Sequence, residues 1–515
     1  MFQSQAEEIL HALPPRVSDI LNRWQRESPD QLALAEAGGC WTYGELAAVV
    51  SDTATALREL GIRPCDRVMI LVENCRTFIA VFLALTAIDA WPVLVNARLS
   101  AQEVDQIRDH CGARRLLYMT GVSSQALKHA KRHEAEIRDL GKLGPLGIGA
   151  LNERVQPEPL DPDISENIAA LIYTSGTTGL PKGVMLTNRN LLYMAEGSVR
   201  VRSVSPQDKL VGILPMSHAV GLSVVALGAL LCGGTLYIFS RFDPVAVLRT
   251  LEKDGITIVL GAPSLFGILL EYTKLKGLAK VRFPALRVIS SSGAPLTAEL
   301  KRETETLFGM VLHNGYGVTE CSPTIALTRI QTPRTDTSIG RIFPGVEIRI
   351  VDAQGTPVGA GETGELHVRG PNVMKGYYRA PEETRAAIDP EGWFNTRDLA
   401  RMEDDHLFIV GRTKELIVRF GFNVYPAEVE AVLNRHPGVA RSAVIGHVVK
   451  GEEEVIAFVE LHSGMTTTQE EIARHAASNL APYKQPSRII LLETLPLTPT
   501  GKPMKEELAK RLSDF

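Results

Sequence analysis

The chain has 515 residues, too many for one ordinary hydrophobic core, so we expect two or more domains. Its apolar content of 45%, charged content of 22% and formal net charge of −4 are typical of a soluble globular protein and give no reason to expect nucleic acid or an anionic membrane as a partner. The six cysteines form no Cys-x-x-Cys pair, which argues against a zinc site and a disulfide framework and favours reduced thiols.

No targeting segment is evident in the sequence. The N-terminus, Met-Phe-Gln-Ser-Gln-Ala-Glu-Glu, lacks the basic start and apolar core of a signal peptide. The longest apolar stretches, 78–88 and 219–232, predict buried helices, because both are shorter than the roughly 20 residues that a membrane span needs. We therefore expect a cytoplasmic protein without a membrane span.

Helix-like and strand-like patterns alternate along the first 330 residues, which indicates α/β layering with mostly parallel strands. Residues 122–165 interrupt the alternation, since they are polar and rich in Gly, Pro, Lys and Glu, and they are predicted to form a surface excursion. The predicted elements are, in chain order, a helix from Trp41 to about Leu60, a strand at 67–72, a helix at 78–88 and strands at 91–95, 209–214, 235–239, 257–260 and 286–290.

The pattern changes twice after residue 340. Residues 340–411 contain short alternating runs separated by Gly and Pro, which predicts an antiparallel or barrel-like subdomain. Beyond residue 414, a helix with Pro426 near its start, two strands and another helix predict a compact α+β domain of about a hundred residues. We therefore divide the chain into a domain at 1–411, a hinge at 412–414 and a domain at 415–515.

A concentration of hydroxyls and glycines follows the apolar run Ile168–Ile172. Residues 173–183 have the sequence Tyr-Thr-Ser-Gly-Thr-Thr-Gly-Leu-Pro-Lys-Gly. Glycines let backbone N–H groups face an anion, hydroxyls donate hydrogen bonds and a lysine adds charge, so this stretch predicts a phosphate-cradling loop. It differs from the common P-loop, in which Gly-x-x-x-x-Gly-Lys-Ser/Thr opens a helix. The alternative is a flexible surface loop.

Five further motifs follow this loop along the chain. They are Ser291–Pro295, Asn314-Gly-Tyr-Gly-Val-Thr-Glu320, Gly392–Leu399, Gly411–Glu430 and Leu497-Thr-Pro-Thr-Gly-Lys-Pro-Met504. Together they closely resemble the signatures of the AMP-forming, acyl-adenylating superfamily, which holds acyl- and aryl-CoA synthetases, peptide-synthetase adenylation domains and firefly-type luciferases. The resemblance extends from Thr42 to Lys502. It implies a large N-terminal domain of layered α/β sheets with a β-barrel-like subdomain, and a small mobile C-terminal α+β domain.

The resemblance assigns nucleotide binding to the phosphate loop and to these motifs. Tyr316 would offer its face to adenine, Glu320 would bind Mg²⁺, and Asp398 would accept hydrogen bonds from the ribose hydroxyls. The alternatives are a Gly-rich turn before a helix at 314–320 and a simple salt bridge between Asp398 and Arg412. The implied ATP- and AMP-binding residues are Thr174, Ser175, Gly176, Thr177, Thr178, Gly179, Lys182, Gly293, Ala294, Pro295, Asn314, Gly315, Tyr316, Gly317, Thr319, Asp398, Arg412 and Lys502.

The implied catalytic residues come from both predicted domains. Lys502 would bridge the substrate carboxylate and the α-phosphate, and the C-terminal domain would then rotate between adenylation and thioester formation. Lys414 matches the family's hinge position, and Gly421 lies on the segment that would face the tunnel for the pantetheine arm of coenzyme A. The implied catalytic set is Thr174, Lys182, Thr319, Glu320 and Lys502.

The acyl pocket is expected to be apolar and lined by small side chains. Ala219 replaces the aspartate of amino-acid-activating relatives, and Gly315 replaces the arginine of malonate-activating relatives and the tryptophan of acetate-specific ones. The expected lining is His218, Ala219, Ser264, Gly293, Gly315 and Val318, with His218 either a gate or a structural histidine.

The sequence therefore predicts an ATP-dependent carboxylic acid–CoA ligase. Its substrates would be ATP with Mg²⁺, coenzyme A and a medium-chain fatty or aryl monocarboxylic acid. One alternative is a stand-alone enzyme that loads the acyl group onto a carrier protein, and another is a luciferase-like monooxygenase. A homodimer is compatible with the resemblance, and the sequence leaves the oligomeric state open.

Overall fold

Two large sheets are built from strands between Leu32 and Tyr377. The computed structural model describes residues 2–174, 182–419, 422–449, 452–498 and 501–512. Within these residues, one sheet has nine strands, with a parallel centre flanked by antiparallel strands. In spatial order they are Arg341–Ile342, Thr324–Leu327, Leu312–Gly317, Val288–Ser292, Ile258–Gly261, Lys209–Gly212, Thr235–Ile238, Leu32–Glu36 and Gly39–Thr42.

The second sheet also has a parallel centre, formed by four strands among the described residues. In spatial order its strands are Gly376–Tyr377, Lys182–Thr187, Ile168–Thr174, Trp91–Asn96, Arg67–Val72, Arg115–Tyr118, Pro145–Ile148 and Glu136–Asp139. The last two strands show that the prediction of a surface excursion at 122–165 is wrong. It contains the helix Ser124–Arg132 and an antiparallel hairpin that completes this sheet.

Helices lie between the two sheets and on their outer faces. Successive strand residues point to opposite faces, so Ile70 joins the core shared by the two sheets while Met69 and Leu71 join a second core on the outer side. Val211 and Val259 face a third core, outside the nine-stranded sheet. Because both faces are covered, strands such as Arg67–Val72 are buried along their whole length. The layered α/β prediction is confirmed.

The predicted helices form, with small shifts at their ends. Thr42 caps its helix, since its side chain accepts a hydrogen bond from the Glu45 N–H and that helix therefore begins at Tyr43, two residues after the predicted start. The α-helices are Phe2–Ala12, Leu21–Glu27, Tyr43–Glu59, Arg76–Ala87, Ala101–Cys111, Ser124–Arg132, Asn188–Val201, Gly228–Leu231, Pro244–Lys253, Pro263–Leu275, Ala298–Phe308, Pro381–Ala387, Pro426–Leu433, Gln469–Asn479 and Lys505–Arg511, and a π-helix spans Val220–Leu227.

Two smaller units follow. The antiparallel prediction for 340–411 is confirmed by a sheet of Glu347–Val351, Gly364–Arg369, Phe394–Glu403 and His406–Arg412. The C-terminal α+β prediction is confirmed by the strands Val439–Val449, Glu452–Leu461 and Arg488–Leu492, which pack with two helices, and by the short pair Ile417–Arg419 and Phe422–Val424. In the part of the chain that the structure describes, no helix has both the length and the apolar character needed to cross a membrane.

Candidate active site

The candidate residues gather at one edge of the nine-stranded sheet. Four of its neighbouring strands, Lys209–Gly212, Ile258–Gly261, Val288–Ser292 and Leu312–Gly317, run parallel, so their carboxyl ends meet at the same edge. The predicted residues follow these ends in turn. His218 follows the first strand, Ser264 the second, Gly293, Ala294 and Pro295 the third, and Val318, Thr319 and Glu320 the fourth.

The predicted phosphate loop connects two antiparallel strands of the other sheet. Thr174 ends one strand and lies opposite Lys182, which begins the next. The predicted residues Ser175, Gly176, Thr177, Thr178 and Gly179 lie outside the described residues.

Lys182 and Glu320 are linked by an aromatic residue, Tyr377. The Tyr377 hydroxyl donates a hydrogen bond of 2.9 Å to Glu320 Oε1, and the Lys182 ammonium lies 5.2 Å from the centroid of the Tyr377 ring. Burial raises the pKa of Glu320, and the hydrogen bond from Tyr377 opposes that rise. The neutral Tyr377 therefore bridges the cationic Lys182 and Glu320 beside the phosphate loop.

Glu320 fits a magnesium ion bound together with a nucleotide. Among the described residues, no cluster of three or more His, Cys, Asp and Glu could hold a metal ion. A single carboxylate next to a phosphate loop is the arrangement that Mg²⁺ uses when phosphate oxygens and water complete its shell. The backbone N–H of Met374 donates to the Glu320 carbonyl at 2.8 Å, which fixes the turn Thr319–Cys321.

Asp398 stands between two donors. The Tyr316 hydroxyl donates to Asp398 Oδ2 at 2.5 Å, and Arg412 Nε donates to Asp398 Oδ1 at 2.8 Å. Asp398 and Arg412 are paired across neighbouring antiparallel strands, which explains their spacing of fourteen residues. The predicted salt bridge is therefore present. It leaves further acceptor capacity on Asp398, because each carboxylate oxygen can accept more than one hydrogen bond.

Lys502 lies beside this pair. Burial and the nearby charge of Arg412 lower the pKa of Lys502, while Asp398 and Glu415 oppose the change. Burial and the charge of Lys502 also lower the pKa of His218. Lys502 is therefore within electrostatic range of the Asp398–Arg412 pair and of His218, and its neighbour Gly501 packs against Ser264.

The acyl side of the site is lined by small residues. An ideal Cβ built at Gly315 would have its nearest neighbours, Leu327 and Ser292, at 3.7 Å, and one built at Gly293 would meet nothing within 4 Å. Ala219 is buried and precedes the π-helix, whereas His218 and Val318 are half-buried. A Cβ at Gly315 would therefore make ordinary van der Waals contacts, and neither glycine is crowded.

Four further candidates, for the nucleotide site, the hinge and the coenzyme A tunnel, remain. The Asn314 amide donates to the Thr337 carbonyl at 3.1 Å and is buried, so this side chain holds a neighbouring loop. Gly317 permits a close approach, because a Cβ there would lie 1.9 Å from the Pro323 carbonyl oxygen. Lys414 lies in the turn Thr413–Glu415, and Gly421 lies outside the described residues.

Sequence reasoning missed Tyr377 and Glu415. The only local signal for Tyr377 is that it belongs to an aromatic pair after Gly376. Its partner Glu320 is 57 residues away along the chain. Glu415 was only one of several charged residues next to the predicted hinge.

Comparisons with known proteins match most of the chain. The family model for AMP-binding enzymes matches residues 21–378, and that for their C-terminal domain matches 428–502. A feruloyl-CoA synthase of Amycolatopsis sp is 33% identical over 494 residues, which are 95% of this chain and 97% of the relative. A 4-coumarate–CoA ligase 1 of Solanum tuberosum is 32% identical over 489 residues, 92% of this chain and 89% of the relative.

Solved structures match over nearly the whole chain. ATP-bound MatB from Rhodopseudomonas palustris has a TM-score of 0.85 at 29% identity, covering 96% of this chain and 99% of that one. The o-succinylbenzoate CoA synthetase MenE of Bacillus subtilis, in complex with its acyl-adenylate, has a TM-score of 0.80 at 27% identity, covering 95% and 97%.

Proposed function

Since this chain belongs to the AMP-binding enzyme family, we propose that it activates an aromatic monocarboxylic acid, with the residues around Lys502 carrying the first step. The chain is an AMP-forming acid–CoA ligase, which uses ATP and coenzyme A. The single observation that supports the assignment of roles is the position of Lys502. The adjacent Gly501 packs against Ser264, since an ideal Cβ there would lie 2.7 Å from Ser264 Cβ, and the charges of Arg412 and Asp398 act on Lys502 as its own charge acts on His218.

In the adenylation step, a carboxylate oxygen of the acid attacks the α-phosphorus of ATP, and the bond to pyrophosphate breaks. Lys502 would neutralise the charge that gathers where carboxylate and α-phosphate meet. Asp398 would accept the ribose hydroxyls, and Lys182 would hold the outer phosphates with Thr174 and Thr319. Mg²⁺ bound at Glu320 would offset the charge of the phosphates and of the leaving pyrophosphate.

In the thioester step, the thiol of coenzyme A attacks the acyl carbonyl, and the bond to AMP breaks. We propose that a domain at 415–515 turns about a hinge at 412–414, with Lys414 as the pivot, so that Lys502 withdraws and the segment of Gly421 takes its place. One mobile domain would thereby serve two reactions at one pocket.

The acid is proposed to be aromatic, of the hydroxycinnamate kind. Relatives named for feruloyl-CoA and 4-coumarate support this class, and Gly315 adds no side chain to the expected acyl pocket. Among the expected lining residues, neither Ala219 nor Gly315 offers a charge for an ammonium or a second carboxylate. A medium-chain fatty acid is the second candidate for this apolar lining.

The setting of the enzyme is also a proposal. We place it in the cytoplasm, where its six free cysteines would stay reduced. A homodimer is our working proposal for its oligomeric state, and light scattering after size-exclusion chromatography tests it.

Pyrophosphate release tests the function directly. Wild-type protein with ATP, Mg²⁺ and single hydroxycinnamic, benzoic, fatty, dicarboxylic or amino acids is assayed with and without coenzyme A. We expect release with hydroxycinnamic acids, faster turnover with coenzyme A and a matching thioester by mass spectrometry. Release indifferent to coenzyme A would favour carrier-protein loading, and no release with any acid would refute the proposal.

A further inference from the structure

A second lysine stands three residues after Lys502 and is held between two carboxylates. Lys505 Nζ lies 2.6 Å from Glu415 Oε2 and 2.9 Å from Glu430 Oε1, and its side chain is only 20% exposed. Burial opposes the charge of Lys505, but the two carboxylates outweigh burial and raise its pKa. Lys505 is therefore a charged, paired residue in the interior of the C-terminal unit.

The two carboxylates connect Lys505 to different parts of that unit. Glu415 ends the turn Thr413–Glu415, directly after the strand that carries Arg412. Glu430 lies in the helix Pro426–Leu433 and also accepts a hydrogen bond of 2.8 Å from the Val444 N–H, which joins it to the sheet. Lys505 thus ties the predicted hinge to the rigid core of this unit.

Lys505 also ends the turn that presents Lys502. Within this turn, Lys502 N–H donates to Thr498 Oγ1 at 3.0 Å and the Lys502 carbonyl accepts from Thr498 N–H at 2.8 Å. The Met504 N–H then donates to the Pro496 carbonyl at 2.8 Å, and the helix Lys505–Arg511 follows at once. Because these hydrogen bonds join the two lysines through a short segment, we expect a shift at Lys505 to be transmitted to Lys502.

Glu415 acts on both lysines. Its carboxylate contacts Lys505 directly, and its charge also opposes the lowering of the Lys502 pKa, so the Lys502 ammonium is within its electrostatic reach. If Lys505 were absent, Glu415 would lose its direct cationic partner and would attract the other cations within its reach, Lys502 and Arg412. A Lys502 held by Glu415 would be turned away from the substrate carboxylate.

We propose that Lys505 is a positioning residue for adenylation: it occupies Glu415 and fixes the turn, so that Lys502 stays directed at the substrates. The inference rests on the proposed role of Lys502. Lys505 itself touches no reacting atom in this scheme. Its effect is confined to the step in which Lys502 takes part.

The test separates the two half-reactions. Adenylation is followed as acid-dependent pyrophosphate release, and thioester formation is followed from chemically supplied acyl-AMP and coenzyme A. Lys505→Ala should lower the adenylation rate, by up to about 100-fold for a displacement near 1 Å, and leave thioester formation near that of wild type. Lys505→Arg should keep most of the adenylation rate, because a guanidinium can still pair with both carboxylates.

Two further variants isolate the part played by Glu415. Adding Glu415→Gln to Lys505→Ala should restore much of the adenylation rate, since the neutral amide no longer attracts Lys502. Arg511→Ala is the matched control, because it removes an exposed ion pair with Glu507 on the same helix and should change neither half-reaction.

Three results would overturn the inference. One is an equal loss of both half-reactions in Lys505→Ala, which would make Lys505 a structural residue only. The second is full adenylation in Lys505→Ala, and the third is a double variant no better than the single one. Wild-type protein that releases no pyrophosphate would instead refute the proposed function, so the two failures are distinguishable.

Discussion

Gly501, which precedes Lys502, allows a test of the contact between the Lys502 turn and the site. Gly501 has a φ of +82°, and an ideal Cβ there would lie 2.7 Å from Ser264 Cβ and 2.8 Å from Ser264 Oγ. Ordinary contact begins at 3.4 Å, so Gly501→Ala places the turn about 0.7 Å too close to the helix Pro263–Leu275. The variant also carries a cost of about 1–2 kcal/mol for an L-residue at positive φ.

These two costs act differently on the two half-reactions. Under the proposed rotation, the backbone cost would be present in either position of the C-terminal unit, whereas the contact with Ser264 would exist only while Lys502 is in the site. A displacement approaching 1 Å at a catalytic group lowers the rate by up to about 100-fold. We therefore expect Gly501→Ala to lower acid-dependent pyrophosphate release by about 10- to 100-fold and to affect thioester formation from supplied acyl-AMP much less.

Removing the opposing side chain should reverse the effect. The double variant Gly501→Ala with Ser264→Gly makes room for the new Cβ, so most of the lost adenylation rate should return, with Ser264→Gly alone as the control. An equal loss in both half-reactions, or a double variant no faster than Gly501→Ala, would refute the reasoning from this contact.

Three other outcomes follow from particular contacts. Tyr377→Phe removes the hydroxyl that donates to Glu320, and the loss of a hydrogen bond to a carboxylate costs about 1.5–3 kcal/mol. We expect slower adenylation and a higher Mg²⁺ requirement in a titration. An unchanged Mg²⁺ dependence would contradict this prediction. Asp398→Asn should raise the KM for ATP more than that for the acid, because the amide is a poorer acceptor for the ribose diol, and equal changes in both would count against a ribose contact. Burial opposes ionisation of Asp208, but hydrogen bonds, led by the one from Arg287, outweigh burial and lower the pKa of Asp208 from 3.8 to about 2. The ionised carboxylate therefore stabilises the fold above pH 4, and this stabilisation is lost as the pH falls towards 2. Asp208→Asn should accordingly reduce the free energy of unfolding by about 2 kcal/mol at pH 7, measured with urea, and a difference that does not shrink at low pH would be contrary evidence.

The sequence predicted the interior strands well and the sheet edge badly, for one physical reason. Arg67–Val72 is covered on both faces and is a nearly continuous apolar run, so its pattern is visible without any knowledge of the fold. Glu136–Asp139 is an edge strand with every residue exposed and therefore shows no apolar alternation. The helix Ser124–Arg132 buries only Ala126, His129 and Ala130, too little apolar surface to reveal itself.

Within the site, residues in motifs could be predicted and isolated residues could not. The loops after parallel strands meet at one edge by topology alone, so the gathering of Gly293, Gly315 and Glu320 follows from the order of the strands. The contact of Tyr377 with Glu320, like that of Lys505 with Glu415, joins residues far apart in the chain. Such pairs depend on three-dimensional packing, and a single tyrosine or lysine carries no local signal of its partner.

The charges around Lys502 give a physical reason for the order of the two half-reactions. Among the residues that the structure describes, Lys502 forms no ion pair, while its neighbours Arg412 and Lys505 each pair with a carboxylate. Lys502 is half-buried, and a partly desolvated ammonium without a partner is costly, so in its proposed role Lys502 would be stabilised by the anionic groups of ATP and the carboxylate. Once pyrophosphate has left, the acyl-adenylate keeps a single phosphate charge, and the stabilisation of Lys502 falls. We infer that release of pyrophosphate itself weakens the hold of the site on Lys502 and frees the C-terminal unit for the thioester step.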